Sequence, residues 1–175
     1  MSLNKQKILE LEKTSKYVFH GSNNGNIEVL EPRQSYHFNN PEDLEEKGSP
    51  DGEPAVAATP YAEIAIFRAI VNGGNIQSHH LSGFGFKQNK KDQMYFSLEP
   101  IEAVNEAYDN KKGFVYVFNK ADFKPYLRDG QADESAMEWR CDKTIKPLEV
   151  IEVTSADLRP IDNIEINWPV FLRRL

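Results

Sequence analysis

The sequence predicts an α+β domain with a mixed or antiparallel β-sheet. Helical patterns gather in the first two-thirds of the chain and strand patterns toward its end, without a regular strand–helix–strand repeat. The 175 residues suit one domain, and 39% hydrophobic with 11% aromatic residues are enough for a buried core. We therefore predict a single domain over residues 1–175 with its core at about 16–154.

The first 54 residues predict a helix, a strand and a long loop. Residues 3–14 place leucine and isoleucine among charged side chains, which indicates a short amphipathic helix. Residues 16–20 (KYVFH) are β-branched and aromatic, as in a strand, and a turn-rich GSNNGN follows. Residues 39–54 are acidic and rich in proline and glycine, so we predict a surface loop.

The clearest helix follows a short strand in the middle of the chain. PAVAAT at 54–59 predicts a buried strand, and the next segment carries apolar residues on one helical face. Thr59 can cap this helix, Pro60 fits its first turn, and Gly73–Gly74 can end it. Residues 75–92 predict a second irregular surface loop.

The remaining chain is richest in strands. MYFSL at 94–98 predicts a strand, and residues 101–110 a short helix after a proline. GFVYVFN at 113–119 is the strongest strand pattern. Two more strands are predicted at 136–141 and 148–154, the second with clean alternation.

Composition excludes several classes of protein. The net charge of −6 and pI near 5.3 oppose a nucleic-acid partner, because no cluster of basic residues offsets them. The chain lacks an apolar run of the roughly 18–20 residues that a membrane span requires. Cys141 is the one cysteine, so no internal disulfide can form. The first residues also lack a signal-peptide core, which predicts a cytoplasmic protein, although a protein exported without a cleaved signal would look the same.

Common catalytic motifs are absent from the sequence. We find no GxxxxGK[ST], no GxGxxG after a strand, no HExxH, no paired CxxC and no GxSxG. His79 and His80 are adjacent, and adjacent side chains on extended backbone point in opposite directions. We therefore predict no metal site.

Three short segments remain as candidates for chemistry. His20-Gly21-Ser22 ends a strand with a histidine and a glycine that a ligand can approach closely. Ala55–Phe67 is a strand that enters a helix, where free backbone N–H groups face ligands. Glu138 lies in an otherwise apolar strand, where a carboxylate is costly unless it is exposed or has partners.

Each segment also has an ordinary structural explanation. A histidine can simply satisfy the end of a strand, and strand-to-helix turns occur in every mixed domain. Alternation places Glu138 and Arg140 on one face of their strand, where an exposed ion pair would be unremarkable.

Taken together, the order of these segments resembles the ADP-ribosyltransferase superfamily. The similarity is closest to the diphtheria-toxin and poly(ADP-ribose)-polymerase-like branch, whose signature is a histidine, an aromatic residue and a glutamate on three strands. The most specific match is the segment YVFHGS. The segment that follows the family's central loop is similar to PAVAATPYAEIAIFRA, and the family's acidic strand with its successor is similar to EWRCDKTIKPLEVIEV. The resemblance covers about residues 16–154 and implies a split β-sheet flanked by a few helices.

The resemblance implies NAD as substrate and a role for each segment. His20 would hydrogen-bond a ribose hydroxyl, Gly21 would hold the nicotinamide carboxamide through its backbone, and Ser22 would belong to the same binding segment. Glu138 would be the catalytic carboxylate, with His20 as its partner.

One position departs from the family pattern. Val56 stands where the stacking aromatic residue is expected, so Tyr61 or Tyr95 becomes the candidate to stack on nicotinamide.

The function implied is transfer of a single ADP-ribose to an unknown protein or small-molecule acceptor. Phosphates of NAD need local positive charge, for which Arg33, Arg68 and Arg140 are the candidates. Two alternatives stay open. One is an inactive module of the same fold that binds NAD, ADP-ribose or a protein partner at 39–54. The other is an enzyme like the RNA 2′-phosphotransferases.

Overall fold

The computed structural model describes residues 1–37, 49–87, 93–127 and 136–162. The helices in these ranges are α1 (Leu3–Lys13), α2 (Ala62–Ile70) and α3 (Ile101–Tyr108), with short 3-10 turns at Lys120–Asp122 and Ser155–Asp157. The strands are β1 (Tyr17–Ser22), β2 (Tyr36–His37), β3 (Ser49–Pro50), β4 (Val56–Ala58), β5 (Leu81–Phe86), β6 (Met94–Glu99), β7 (Lys112–Asn119), β8 (Lys124–Pro125), β9 (Trp139–Cys141) and β10 (Glu149–Thr154).

These strands form two three-stranded sheets and two short hairpins. The first sheet has the order β1-β7-β10 and the second the order β4-β9-β8, while β2 pairs with β3 and β5 with β6. Every pair among the described strands is antiparallel. The structure therefore confirms an α+β domain with antiparallel sheets. The two three-stranded sheets meet at an isolated bridge between Phe19 and Thr59.

Helix α2 is the centre of the core because both of its sides are apolar. Its alanines and isoleucines on one side pack against the sheet, in a cluster that includes Phe19 and Val115. The other side, with Phe67 and Val71, packs against the β5–β6 hairpin and α3. None of the described helices is long and apolar enough to cross a bilayer.

Glutamate and asparagine side chains, rather than the predicted residues, cap α2. The helix begins at Ala62, and its first N–H donates to the Glu12 carboxylate of α1 at 3.1 Å. The Thr59 hydroxyl instead accepts from the Tyr61 N–H at 3.3 Å, before the helix. The helix ends at Ile70, before the two glycines, because the Asn75 amide donates to its last carbonyls.

The prediction of an irregular loop at 75–92 is wrong for residues 81–86, which form β5. Gly83 and Gly85 suggest a loop, yet they alternate with Phe84 and Phe86 at the period of a strand. Both phenyl rings face the apolar side of α2, where Phe84 contacts Phe67. Burial of those rings outweighs the low strand propensity of glycine.

The other predicted boundaries change in smaller ways. Residues 39–48 of the predicted 39–54 loop lie outside the described residues, and Ser49–Pro50 form the two-residue strand β3. The predicted strand at 136–141 is a strand only at Trp139–Cys141. The core also begins earlier than the predicted residue 16, because Ile8 of α1 is fully buried against α2 and the sheet.

Close packing of α2 on β7 makes Gly113 a sensitive position. A Cβ there would lie 2.5 Å from the Ala69 carbonyl carbon, closer than non-bonded atoms approach. We expect Gly113→Ala to lower the free energy of unfolding by about 1–3 kcal/mol through overpacking. Gly73→Ala is the matched control, because no atom of the described residues lies within 4 Å of its Cβ position. Urea denaturation measures both, and equal stabilities would contradict this packing.

Candidate functional site

The two sheets separate immediately after the bridge between Phe19 and Thr59. Each residue donates to the other's carbonyl, at 2.7 and 2.8 Å. Continued in the same register, the next bonded pair would be Gly21 with Ala57. That pair does not form, and the His20 Nδ1 lies 2.8 Å from the Ala57 carbonyl oxygen instead. A histidine side chain therefore stands in the gap between β1 and β4.

The gap leaves the backbone of Gly21 facing outward at the edge of the sheet. Phe19 directs its N–H and C=O toward Thr59 of the other sheet. Its partner on β7, Val117, directs its carbonyl away from β1, where it accepts from the Leu148 N–H. Because backbone groups of an antiparallel strand alternate in direction, Gly21 faces the same way as Phe19. In the described residues no backbone hydrogen bond beyond the ladder takes up these two groups. One donor and one acceptor are thus presented side by side.

The other side of Gly21 explains why this residue is a glycine. A Cβ there would collide with the Ala65 carbonyl oxygen and lie 2.6 Å from the Ala69 nitrogen. Helix α2 therefore packs directly on the backbone of β1. This contact alone requires glycine, whatever the edge binds.

The imidazole of His20 is held as a neutral hydrogen-bond acceptor. Since Ala57 offers a carbonyl oxygen, we assign the proton to Nδ1, which leaves a lone pair on Nε2. Burial lowers the pKa of His20 from 6.5, the hydrogen bond to Ala57 opposes this, and the positive charges of Arg68 and Arg33 lower it further. The neutral ring is thus the stable form near pH 7.

Glu138 lies across β4 from this gap. When the β4–β9 register is continued by one residue, Glu138 stands opposite Thr59, and its carbonyl accepts from Tyr126 at 2.8 Å on the far side. The backbones of Phe19 and Glu138 are thus two strand spacings apart, about 10 Å. The Glu138 side chain is only 18% exposed. The register therefore places the backbone of Glu138 beside Thr59, whereas the side chain of His20 meets Ala57 and packs near the Tyr116 ring.

The Glu138 carboxylate belongs to a half-buried cluster of charged groups. Its Oε1 accepts from the Arg140 Nε at 2.7 Å. The Arg140 Nη2 donates to Asp51 Oδ2 at 3.0 Å, and the guanidinium carbon lies 3.4 Å from the centre of the Tyr126 ring. The expected pairing of Glu138 with Arg140 is present, but in a mostly buried site rather than on an exposed face.

The remaining predicted ligand-binding residues differ in where they lie. The Ser22 hydroxyl accepts from the Asn24 N–H at 3.1 Å and closes the turn after β1. Tyr61 precedes α2 and contacts Phe86 edge-to-face at 5.1 Å. Tyr95 covers Gly85 on the face of the hairpin that points away from α2, so the structure does not bring it to His20.

Val56, expected in the position of the stacking aromatic residue, does not face the gap. Its side chain is 3% exposed and packs in the core with Tyr116 and Phe118. Ala57 is the residue of β4 that borders His20. The strand therefore presents no aromatic ring at this point.

Two of the three predicted phosphate-binding arginines lie near His20. Arg33 is exposed, and its backbone pairs with Ala55, two residues before the partner of His20. Arg68 extends from α2, with its guanidinium 5.1 Å from the centre of the Phe84 ring. Arg140 does not fit this role, because Glu138 and Asp51 already take its donors.

Asp51 and Tyr126 are part of this site, and sequence reasoning missed both. The Tyr126 hydroxyl donates to Asp51 Oδ1 at 2.7 Å. Asp51-Gly52 is a recognisable turn signal, but it contains no indication of a partner 89 residues away. Tyr126 carries no sequence signal that we recognise.

Other features of the described residues contribute no chemistry here. No group of three or more histidine, cysteine, aspartate or glutamate side chains in these ranges could hold a metal ion. An open depression of about 440 Å³ at the end of β7 is lined by Lys120 and Trp139, but by neither His20 nor Glu138. Comparison of the chain with protein-family models, curated proteins and solved structures gave no match.

The lowered pKa of His20 predicts a loss of stability in mild acid. Below pH 6.5 the unfolded chain binds a proton at this residue that the folded chain does not. The free energy of unfolding therefore decreases as the pH is lowered. The slope contributed is at most about 1.4 kcal/mol per pH unit. We expect His20→Asn to remove this contribution, as measured by urea denaturation between pH 7.5 and 5.

The exposed His79 provides the matched control for this measurement. His79→Asn makes the same chemical change at an exposed position and so controls for the substitution itself. Burial raises the pKa of Glu12, which makes a contribution of opposite sign, but all three proteins share it. An identical slope in wild type and His20→Asn would contradict the assignment of a neutral, half-buried histidine.

Proposed function

We propose that this protein cleaves NAD and transfers its ADP-ribose to an acceptor. The observation that carries the proposal is the edge of β1 at Gly21, where one N–H and one C=O face a gap that contains His20. A primary carboxamide such as that of nicotinamide offers one acceptor and two donors, which complement this pair. The gap between the sheets is also consistent with the split sheet that the sequence resemblance implies.

The surroundings of the gap suit the rest of such a substrate. The Nε2 lone pair of His20 can accept a hydrogen bond from a ribose hydroxyl. Arg33 and Arg68 supply positive charge beside His20, within a chain whose net charge is −6. Guanidinium groups are well suited to bind phosphate oxygens.

Glu138 is the candidate catalytic carboxylate. Breaking the bond between nicotinamide and ribose sends the electron pair to the leaving nicotinamide and leaves positive charge on the sugar. A fixed carboxylate stabilises that charge. The acceptor then forms its bond to the same ribose carbon, and its proton passes to Glu138 or to solvent. No covalent intermediate with the protein is required.

A second candidate function is binding of NAD or ADP-ribose without turnover. The ion pair between Glu138 and Arg140 favours it, because a neighbouring guanidinium offsets the charge that catalysis needs. The buried Val56 also supplies no stacking ring. Calorimetry with NAD separates the two candidates, since the binding module would show affinity without release of nicotinamide.

Replacement of Glu138 tests the enzymatic proposal directly. We expect wild-type protein to release nicotinamide from NAD, and Glu138→Gln to lower kcat by about 100-fold or more. The affinity for NAD should change little, because the carboxylate acts mainly on the charge that develops during cleavage. Chromatographic assay of nicotinamide measures the rate, and calorimetry measures the affinity.

Glu152→Gln is the matched control. Glu152 of β10 forms an exposed ion pair with Lys112 of β7 at 2.9 Å, so this variant loses the same charge elsewhere on the protein. It should retain wild-type activity. If wild-type protein releases no nicotinamide, or if both variants behave alike, Glu138 is not the catalytic residue of an NAD-cleaving enzyme.

A further inference from the structure

The side chain of Arg140 is fixed by three hydrogen bonds and one ring contact. Its Nε donates to Glu138 Oε1, while Nη1 donates to the Asp51 carbonyl oxygen and Nη2 to the Asp51 carboxylate. The Tyr126 ring covers its face. The side chains of Arg140 and Asp51 are each 10% exposed. Such an arginine cannot turn toward a ligand without losing several hydrogen bonds.

The turn at Asp51-Gly52 is shaped around this guanidinium. Gly52 has a φ of +74°, and a Cβ on it would lie 2.6 Å from the Arg140 Nη1. The Gln34 amide donates to the Gly52 carbonyl at 2.8 Å, and the Asp51 N–H donates to the Ser35 carbonyl at 2.9 Å. Position 52 therefore requires glycine for two reasons, the positive φ of its backbone and the space that the Arg140 side chain occupies. The turn and the guanidinium form one unit.

The charges in this unit explain how Glu138 can remain useful beside an arginine. Two carboxylates, those of Asp51 and Glu138, both bond to the guanidinium of Arg140, so Glu138 does not take up its positive charge alone. Burial acts to lower the pKa of Arg140, but the hydrogen bond and charge of Glu138, with the charge of Asp51, outweigh it and raise the pKa. The guanidinium thus stays charged and holds both carboxylates.

Resting on the function proposed above, we propose that Asp51 and Arg140 are positioning residues for Glu138. Arg140 fixes the rotamer of the Glu138 carboxylate, and Asp51 both orients Arg140 and offsets its charge. The carboxylate is thereby held in one orientation before the substrate binds, which avoids the cost of ordering it during cleavage. Neither positioning residue needs to touch the substrate.

Substitutions at the far end of the cluster test this role in the full-length protein. We expect Asp51→Asn to lower kcat by about 10-fold or more, with KM and the calorimetric affinity for NAD within about twofold of wild type. Arg140→Lys should lose as much kcat, because an ammonium keeps the charge but lacks the planar set of donors that joins both carboxylates. A general weakening of the fold would not separate kcat from KM in this way.

Two further variants keep the test interpretable. Asp162→Asn breaks the exposed ion pair with Lys87, at 3.6 Å, and should leave kcat unchanged. If Asp51→Asn does not fold by thermal melting, Tyr126→Phe decides, since it removes only the hydroxyl that orients Asp51 and should lower kcat by about two- to fivefold.

The possible results separate this inference from the proposed function. If wild-type protein does not cleave NAD, the proposed function fails and this role fails with it. If wild type is active and a folded Asp51→Asn or Tyr126→Phe keeps its full kcat, only the positioning role is overturned. A loss of kcat at constant affinity supports both.

Discussion

Two hydrogen bonds between the backbones of Phe19 and Thr59 determine where the two three-stranded sheets of this protein meet. They join the two three-stranded sheets at one isolated residue pair, and among the described residues the next pair along the strands does not form. The separation leaves the edge of β1 open at Gly21 and makes room for the imidazole of His20 beside Ala57. If β1 and β4 paired along their whole length, the N–H and C=O of Gly21 would be used in hydrogen bonds to Ala57.

Helix α2 makes this separation compatible with a rigid core. It lies so close to β1 and β7 that both strands carry glycine where they meet it, Gly21 against Ala65 and Gly113 against Ala69. The open edge of β1 is therefore supported from behind by a packed helix. A rigid edge loses little conformational entropy when a ligand binds it. The packing of α2 at Gly21 therefore supports the binding role proposed for this residue.

The sequence predicts the elements of this arrangement better than their connections. Strand β1 and its His20-Gly21 end are evident because local propensity and a short motif coincide. Local propensity does not predict the hairpin strand β5, because glycines alternate with its half-buried phenylalanines. The link from Asp51 to Arg140 could not be predicted, since it spans 89 residues and depends on how the sheets are placed. Val56 stands where the family pattern expects a stacking aromatic residue, whereas alternation along β4 turns its side chain into the core.

The protonation state of His20 ties the electrostatics of the site to its architecture. Burial is the largest cause of the lowered pKa, ahead of the charges of Arg68 and Arg33. An anion bound near these arginines would offset their charges and would itself favour the protonated imidazole, whereas covering the ring would favour the neutral one. The hydrogen bond from Nδ1 to Ala57 holds the ring in place in either state. In the free protein, burial and the two arginines together favour the neutral form, so positive charge and a hydrogen-bond acceptor lie side by side.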